Sequence, residues 1–186
     1  MAKVRRGRFY QVPYDMWYSG DYLFAGYTDS HWRKLAHKRG RKGKAMKTII
    51  LYATKSGASR ECAELLSEKF GNCPVHDLSQ SVPDLKGFDT VIIGTGVRMG
   101  TIYKPARRFL QQNIEVLLTK KFAVYLCNAY PDTFQKTVEK NVPQELAEHA
   151  ICMKSFGGRP PFTKAPIEEW LHTDTVEQFL EQVIGS

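Results

Sequence analysis

A short apolar run that gives way to a loop of hydroxyls and glycine, and then to a helical pattern, constrains this chain more than any other feature. Thr48-Ile49-Ile50-Leu51-Tyr52-Ala53 has the continuous apolar, β-rich character of a strand buried on both faces. Thr54-Lys55-Ser56-Gly57-Ala58-Ser59 follows. Beyond it Cys62, Ala63, Leu65, Leu66 and Phe70 recur at helical spacing, up to a stop at Gly71. The loop places the hydroxyls of Thr54, Ser56 and Ser59 within six residues. Gly57 lets the backbone approach a ligand or take a positive φ. The helix then directs free N–H groups and its positive dipole end at the same spot. That combination suits a phosphate monoester, with Lys55 and Arg60 available to add charge. An ordinary strand-to-helix turn with Ser59 as N-cap remains the alternative.

The same alternation continues. Pro74–Leu78 reads as a short second strand and Thr90–Gly94 as a third, followed by a glycine-rich loop over Gly94–Ile102. Pro105 suits the first turn of a helix running through Phe109, Leu110, Ile114 and Leu117. Phe122–Cys127 is a fourth strand, Asn128–Pro131 a loop, and a helical pair broken near Pro143 comes next. Ala150–Met153 is a fifth strand, 155–166 is loop, and Val176, Phe179, Leu180 and Val183 mark a last amphipathic helix. The order predicts an α/β fold, a doubly wound five-stranded parallel sheet covered on both faces. Ligands bind such sheets at the carboxyl ends of the strands, near the point where strand order reverses. The candidate loops are therefore Thr54–Ser59, Thr95–Tyr103 and Asn128–Pro131.

Other chemistries find little support. GxxxxGK[ST] does not occur, and Gly94–Gly100 is GxGxxxG placed after the wrong strand for a dinucleotide fingerprint. Cys62, Cys73, Cys127 and Cys152 form no CxxC pair and read as buried thiols in a reducing compartment. No acid–base pair or nucleophile constellation stands out. His76 and His149 fall away from the three loops, so no catalytic residue and no metal site is assigned. No apolar run approaches the ~20 residues of a membrane span. The basic first residues lack the apolar stretch of a secretory signal. The expected location is cytoplasmic.

Ile50–Ser59 resembles the flavodoxin signature, a strand ending in Thr/Ser-x-Thr/Ser-Gly-x-Thr/Ser. Val91–Gly100 resembles the third-strand loop of the branch that contains quinone-linked protoporphyrinogen dehydrogenase. The resemblance spans residues 47–184 and implies a flavodoxin-like domain with an FMN site. By match, Thr54, Lys55, Ser56, Gly57, Ala58 and Ser59 would hold the FMN phosphate. Thr95, Gly96, Val97, Arg98 and Met99 would line one side of the isoalloxazine, and Asn128, Ala129 and Tyr130 the other. Tyr130 would stack on the ring, with Met99 or Tyr103 over the opposite face; packing at a helix start is the rival role for Tyr103. The function implied is electron transfer or small-flavin oxidoreduction, with a redox protein or a small-molecule electron acceptor as partner. Protoporphyrinogen dehydrogenase-like activity is an alternative, although Met153–Trp170 lacks the longer insertion of that branch.

The first quarter of the chain is a different kind of sequence. Residues 1–45 carry 11 Lys/Arg against 3 Asp/Glu and nine of the 22 aromatics, whereas residues 46–186 carry 16 of each charge. We therefore expect two parts, a basic aromatic-rich segment at 1–45 and an FMN-binding domain at 46–186. Interleaved cations and aromatics suit single-stranded nucleic acid. A protein partner, an anionic surface, and simple packing on the rest of the chain are the competing readings. Met46-Lys47-Thr48-Ile49-Ile50 also reads as a free-standing start, so a natural extension and a fused module both remain open.

Overall fold

The computed structural model describes residues 46–160 and 163–186. Every reading placed on residues 1–45 lies outside the described residues. Among the described residues six strands and six helices follow: β1 (Thr48–Ala53), α1 (Ala58–Lys69), β2 (Val75–Asp77), β3 (Thr90–Arg98), β4 (Thr101–Ile102), α2 (Lys104–Gln112), α3 (Ile114–Leu118), β5 (Lys121–Cys127), α4 (Phe134–Asn141), α5 (Gln144–His149), β6 (Cys152–Ser155) and α6 (Thr173–Gly185). Single 3₁₀ turns lie at Pro131–Thr133 and Ile167–Glu169.

Five strands form one parallel sheet in the order β2-β1-β3-β5-β6. The sixth, β4, is a two-residue antiparallel strand on β3. Strand addition reverses direction at β1, so the crevice beyond the carboxyl ends of β1 and β3 is the switch point.

Alternation along each strand builds two cores. Ile50, Ile92, Ala123 and Tyr125 face one side, where α1 and α6 supply Cys62, Leu66, Val176, Phe179, Leu180 and Val183. Ile49, Leu51, Val91, Ile93, Phe122 and Val124 face the other, against Phe109, Leu110, Leu117, Val138 and Leu146 from α2 to α5. Every strand residue named here is essentially inaccessible, as a sheet covered on both faces requires.

Three local expectations change. The glycine-rich stretch is not loop: β3 continues through Gly94, Thr95, Gly96 and Val97 to Arg98. Its chain reverses at Met99-Gly100, where φ is +51° and +66°. Arg98 faces Thr101 across that turn, so it is a two-residue hairpin of the primed kind that matches strand twist. The predicted helix from Pro105 to Leu117 divides at Asn113, whose φ is −124° and whose side-chain amide donates to the Phe109 carbonyl at 2.8 Å. The last parallel strand runs two residues later than expected, at Cys152–Ser155.

Candidate functional site

The turn after β1 is shaped by Gly57, which holds φ at +90° and acts as N-cap of α1. Ser59 is therefore not the cap; it lies inside the first turn. The Thr54 hydroxyl fixes the turn by accepting from the Gly57 amide at 2.9 Å, and no side chain caps α1. Ser59 is 1% exposed, and its hydroxyl has no hydrogen-bond partner. A buried hydroxyl left unpaired at a helix N-terminus costs stability until a ligand satisfies it. Phosphate oxygen is the chemistry that would do so at a dipole's positive end. Arg60, expected to add charge here, is committed to Glu64 at 2.8 Å on the exposed side of α1.

A cavity of about 440 Å³ opens beside this turn, a volume in the range of cofactor sites. Ser56, Ala58, Gly96, Val97, Arg98, Met99, Asn128, Ala129 and Tyr130 line it, so the three candidate loops converge. Thr54, Lys55, Gly57, Ser59 and Thr95 do not line it. Lys55 sits over the Tyr103 ring, 5.5 Å from its centroid. The Thr95 hydroxyl is buried, accepting from the Tyr103 amide at 3.3 Å and donating to the Gly96 carbonyl at 3.2 Å.

Tyr103 also lines the cavity and serves as N-cap of α2. A Cβ at Gly96 would fall 2.4 Å from its Cε2. The ring thus packs on the β3 backbone, the role weighed against stacking, and burial raises its phenol pKa. Met99 and Tyr130, at 90% and 68% exposed, are the large apolar side chains on the cavity wall that remain open. The Tyr130 loop is stiffened by buried Asn128, whose amide donates to the Tyr130 carbonyl at 2.8 Å and to the Thr133 hydroxyl at 3.0 Å. Its Oδ1 accepts from the Tyr130 amide at 3.1 Å.

Sequence reasoning missed four lining residues of the cavity: Cys127, Thr133, Gly158 and Arg159. Gly157 holds φ at +86°, and a Cβ there would meet the Trp170 carbonyl oxygen at 2.0 Å. A Cβ at Gly158 would lie 2.5 Å from the Ala129 amide nitrogen. Only glycine passes between these segments, and the passage delivers Arg159 to the phosphate turn. The adjacent glycines were the available signal. Cys127 lies at the end of β5 with its sulfur 3.7 Å from that of Cys62. That contact, reinforced by burial, holds the Cys62 thiol well above its ordinary pKa. All four cysteines are free thiols. His76 and His149 bond the Ser81 and Lys120 carbonyls, away from the cavity. Among the described residues no cluster of His, Cys, Asp and Glu could hold a metal. Among the same residues, no helix is long and apolar enough to cross a membrane.

Comparison with known proteins agrees with this architecture. A family profile described as "Flavodoxin domain" matches residues 49–164. The protoporphyrinogen IX dehydrogenase (quinone) of Escherichia coli is 27% identical over 106 residues, 53% of this chain and 55% of that protein. The match thus spans about half the length of that curated relative. A WrbA-like flavodoxin from Agrobacterium tumefaciens superposes with a TM-score of 0.50 at 16% identity, over 75% of this chain and 96% of that one. A flavoprotein of Lactobacillus acidophilus, solved in complex with FMN, gives 0.49 at 16% identity, over 59% and 93%.

Proposed function

Because this chain belongs to the flavodoxin domain family, we propose that its cavity binds FMN and that the protein works in electron transfer or as a small flavin oxidoreductase. The observation that carries this reading is the unpartnered, buried Ser59 hydroxyl at the start of α1, beside a cavity of about 440 Å³. The residues fit the cofactor at both ends. Ser56, Gly57, Ala58 and Ser59 provide backbone amides, hydroxyls and a helix N-terminus for a phosphate dianion. Of this turn, Ser56 and Ala58 line the cavity, and Thr54, Lys55, Gly57 and Ser59 form the turn behind them. The β3 edge at Gly96, Val97, Arg98 and Met99 and the Asn128–Tyr130 loop provide two walls for a flat ring. Tyr130 is open for stacking, and Met99 is better placed than Tyr103 to cover the other face. Bound FMN supplies the electron chemistry, and the protein supplies position and electrostatics. Thr95 acts indirectly, by fixing the Tyr103 backbone.

Electrons would pass to a redox protein or a small-molecule acceptor at the exposed rim around Met99 and Tyr130. Four free thiols support a reducing, cytoplasmic setting. We assign this function to residues 46–186 and keep 1–45 as a separate basic module. A second reading, dehydrogenation of a protoporphyrinogen with a quinone acceptor, is favoured by the match to the E. coli enzyme. Titrating the purified protein with FMN while recording its absorbance tests the leading reading. Saturation at one FMN per chain is expected, and no uptake from excess FMN would overturn it. The loaded protein mixed with protoporphyrinogen IX and a quinone then separates the two readings: porphyrin formation selects the dehydrogenase.

A further inference from the structure

The phosphate turn contains an apparent contradiction. Glu61 stands in the first turn of α1, where a carboxylate suits the helix dipole but repels a bound phosphate. Arg159 meets it from nearly a hundred positions along the chain. Its Nη2 donates to both Glu61 oxygens at 2.6 and 2.5 Å, its Nη1 to the Ser56 carbonyl at 2.7 Å, and its Nε to the Ala165 carbonyl at 3.1 Å. The guanidinium also lies 5.6 Å from the centroid of the Trp170 ring. A Cβ built on Gly57 would sit 3.5 Å from Arg159 Nη1 and 3.6 Å from Glu61 Oε1. Both charges therefore flank the glycine of the turn, and Arg159 lines the cavity.

We propose that Arg159 makes this site selective for a phosphorylated flavin over riboflavin, by cancelling the Glu61 carboxylate beside the phosphate turn. The inference rests on the FMN reading above. Arg159 is only 14% exposed, so its effect on a neighbouring dianion is weakly screened, while Glu61, at 37%, is partly screened. Arg60 and Lys55 cannot substitute, since one is paired with Glu64 and the other lies over Tyr103. Without Arg159, the Glu61 charge faces the phosphate uncompensated. Riboflavin, which lacks that phosphate, does not sense the change. Arg159 is thus a specificity residue. If it merely latched the loop, its loss would harm both flavins alike.

The test is flavin-fluorescence titration of the full chain with FMN and with riboflavin, for wild type, Arg159→Met, Glu61→Gln and the double variant. Arg159→Met should weaken FMN about tenfold and leave riboflavin within about twofold. Glu61→Gln, which keeps the Arg159 bonds to Ser56 and Ala165, should tighten FMN about threefold and leave riboflavin unchanged. It reads the charge effect even if Arg159→Met does not fold. The double variant should recover most of the FMN affinity lost in Arg159→Met. Equal losses for both flavins, no effect of Glu61→Gln, or a double variant as weak as Arg159→Met would overturn the proposal while leaving the FMN site standing. Wild-type protein that takes up no FMN overturns the cofactor reading, and this inference with it.

Discussion

Ser59 concentrates the site's logic in one side chain. Its hydroxyl is buried without a partner, so it costs the ligand-free protein stability and becomes useful only on binding. Ser59→Ala should therefore act in opposite directions in two measurements. Urea unfolding of the ligand-free protein should show stability unchanged or raised by about 1 kcal/mol. FMN titration should show affinity reduced several-fold. Loss of stability in the free protein would mean that the hydroxyl is already satisfied. The hydroxyls and glycine of this turn were legible in the sequence because their chemistry is local. Arg159 was harder to read, because Gly157 and Gly158 signal a close passage but not that it leads back to Ser56 and Glu61.

At the scale of elements, the strands were legible wherever burial on both faces wrote a continuous apolar run, as in β1 and β5. The sequence misled at β3, where Gly94 read as the end of the strand and Gly96 as loop. Both are strand residues whose missing side chains make room for rings. A Cβ at Gly94 would fall 1.9 Å from Tyr125 Cζ, and one at Gly96 would strike Tyr103. Glycine in a strand marks close approach here. The β3–β4 hairpin that carries Met99 is anchored by buried Asn141 of α4. Its side chain accepts from the Ile102 amide at 3.3 Å and donates to the Gly100 and Thr137 carbonyls at 3.0 and 2.7 Å. Asn141→Ala strands those backbone groups. Urea unfolding should show a loss of about 2 kcal/mol. FMN titration should show weaker binding as the Met99 turn loosens. An unchanged unfolding midpoint would mean that water replaces the amide at no cost.

Over the whole molecule, the core between the sheet and the α1–α6 layer encloses ionisable groups, and this ties stability to their ionisation. Tyr125 stacks on Phe156 at 4.8 Å, stands edge-on to Phe179 and donates to the Ser59 carbonyl at 2.7 Å. Burial holds its phenol neutral, well above the ordinary value of 10.0. Burial likewise lifts the Cys152 thiol on β6 from 9.0 to about 11, against a smaller opposing pull from Lys154. Cys62 shifts in the same direction. In each case the folded pKa is raised, so the stabilisation is full below the unfolded value and is lost as pH climbs towards the folded one. The unfolded chain releases these protons first, so stability should be level up to about pH 9 and fall above it. Urea midpoints measured at pH 8, 9, 10 and 11 should decline over the last three. Cys152→Ala should flatten the decline between pH 9 and 11, and Tyr125→Phe the part that begins above pH 10. A midpoint that stays level to pH 11 in the wild type would mean that these groups meet solvent in the folded protein, and that this face of the sheet is open rather than packed.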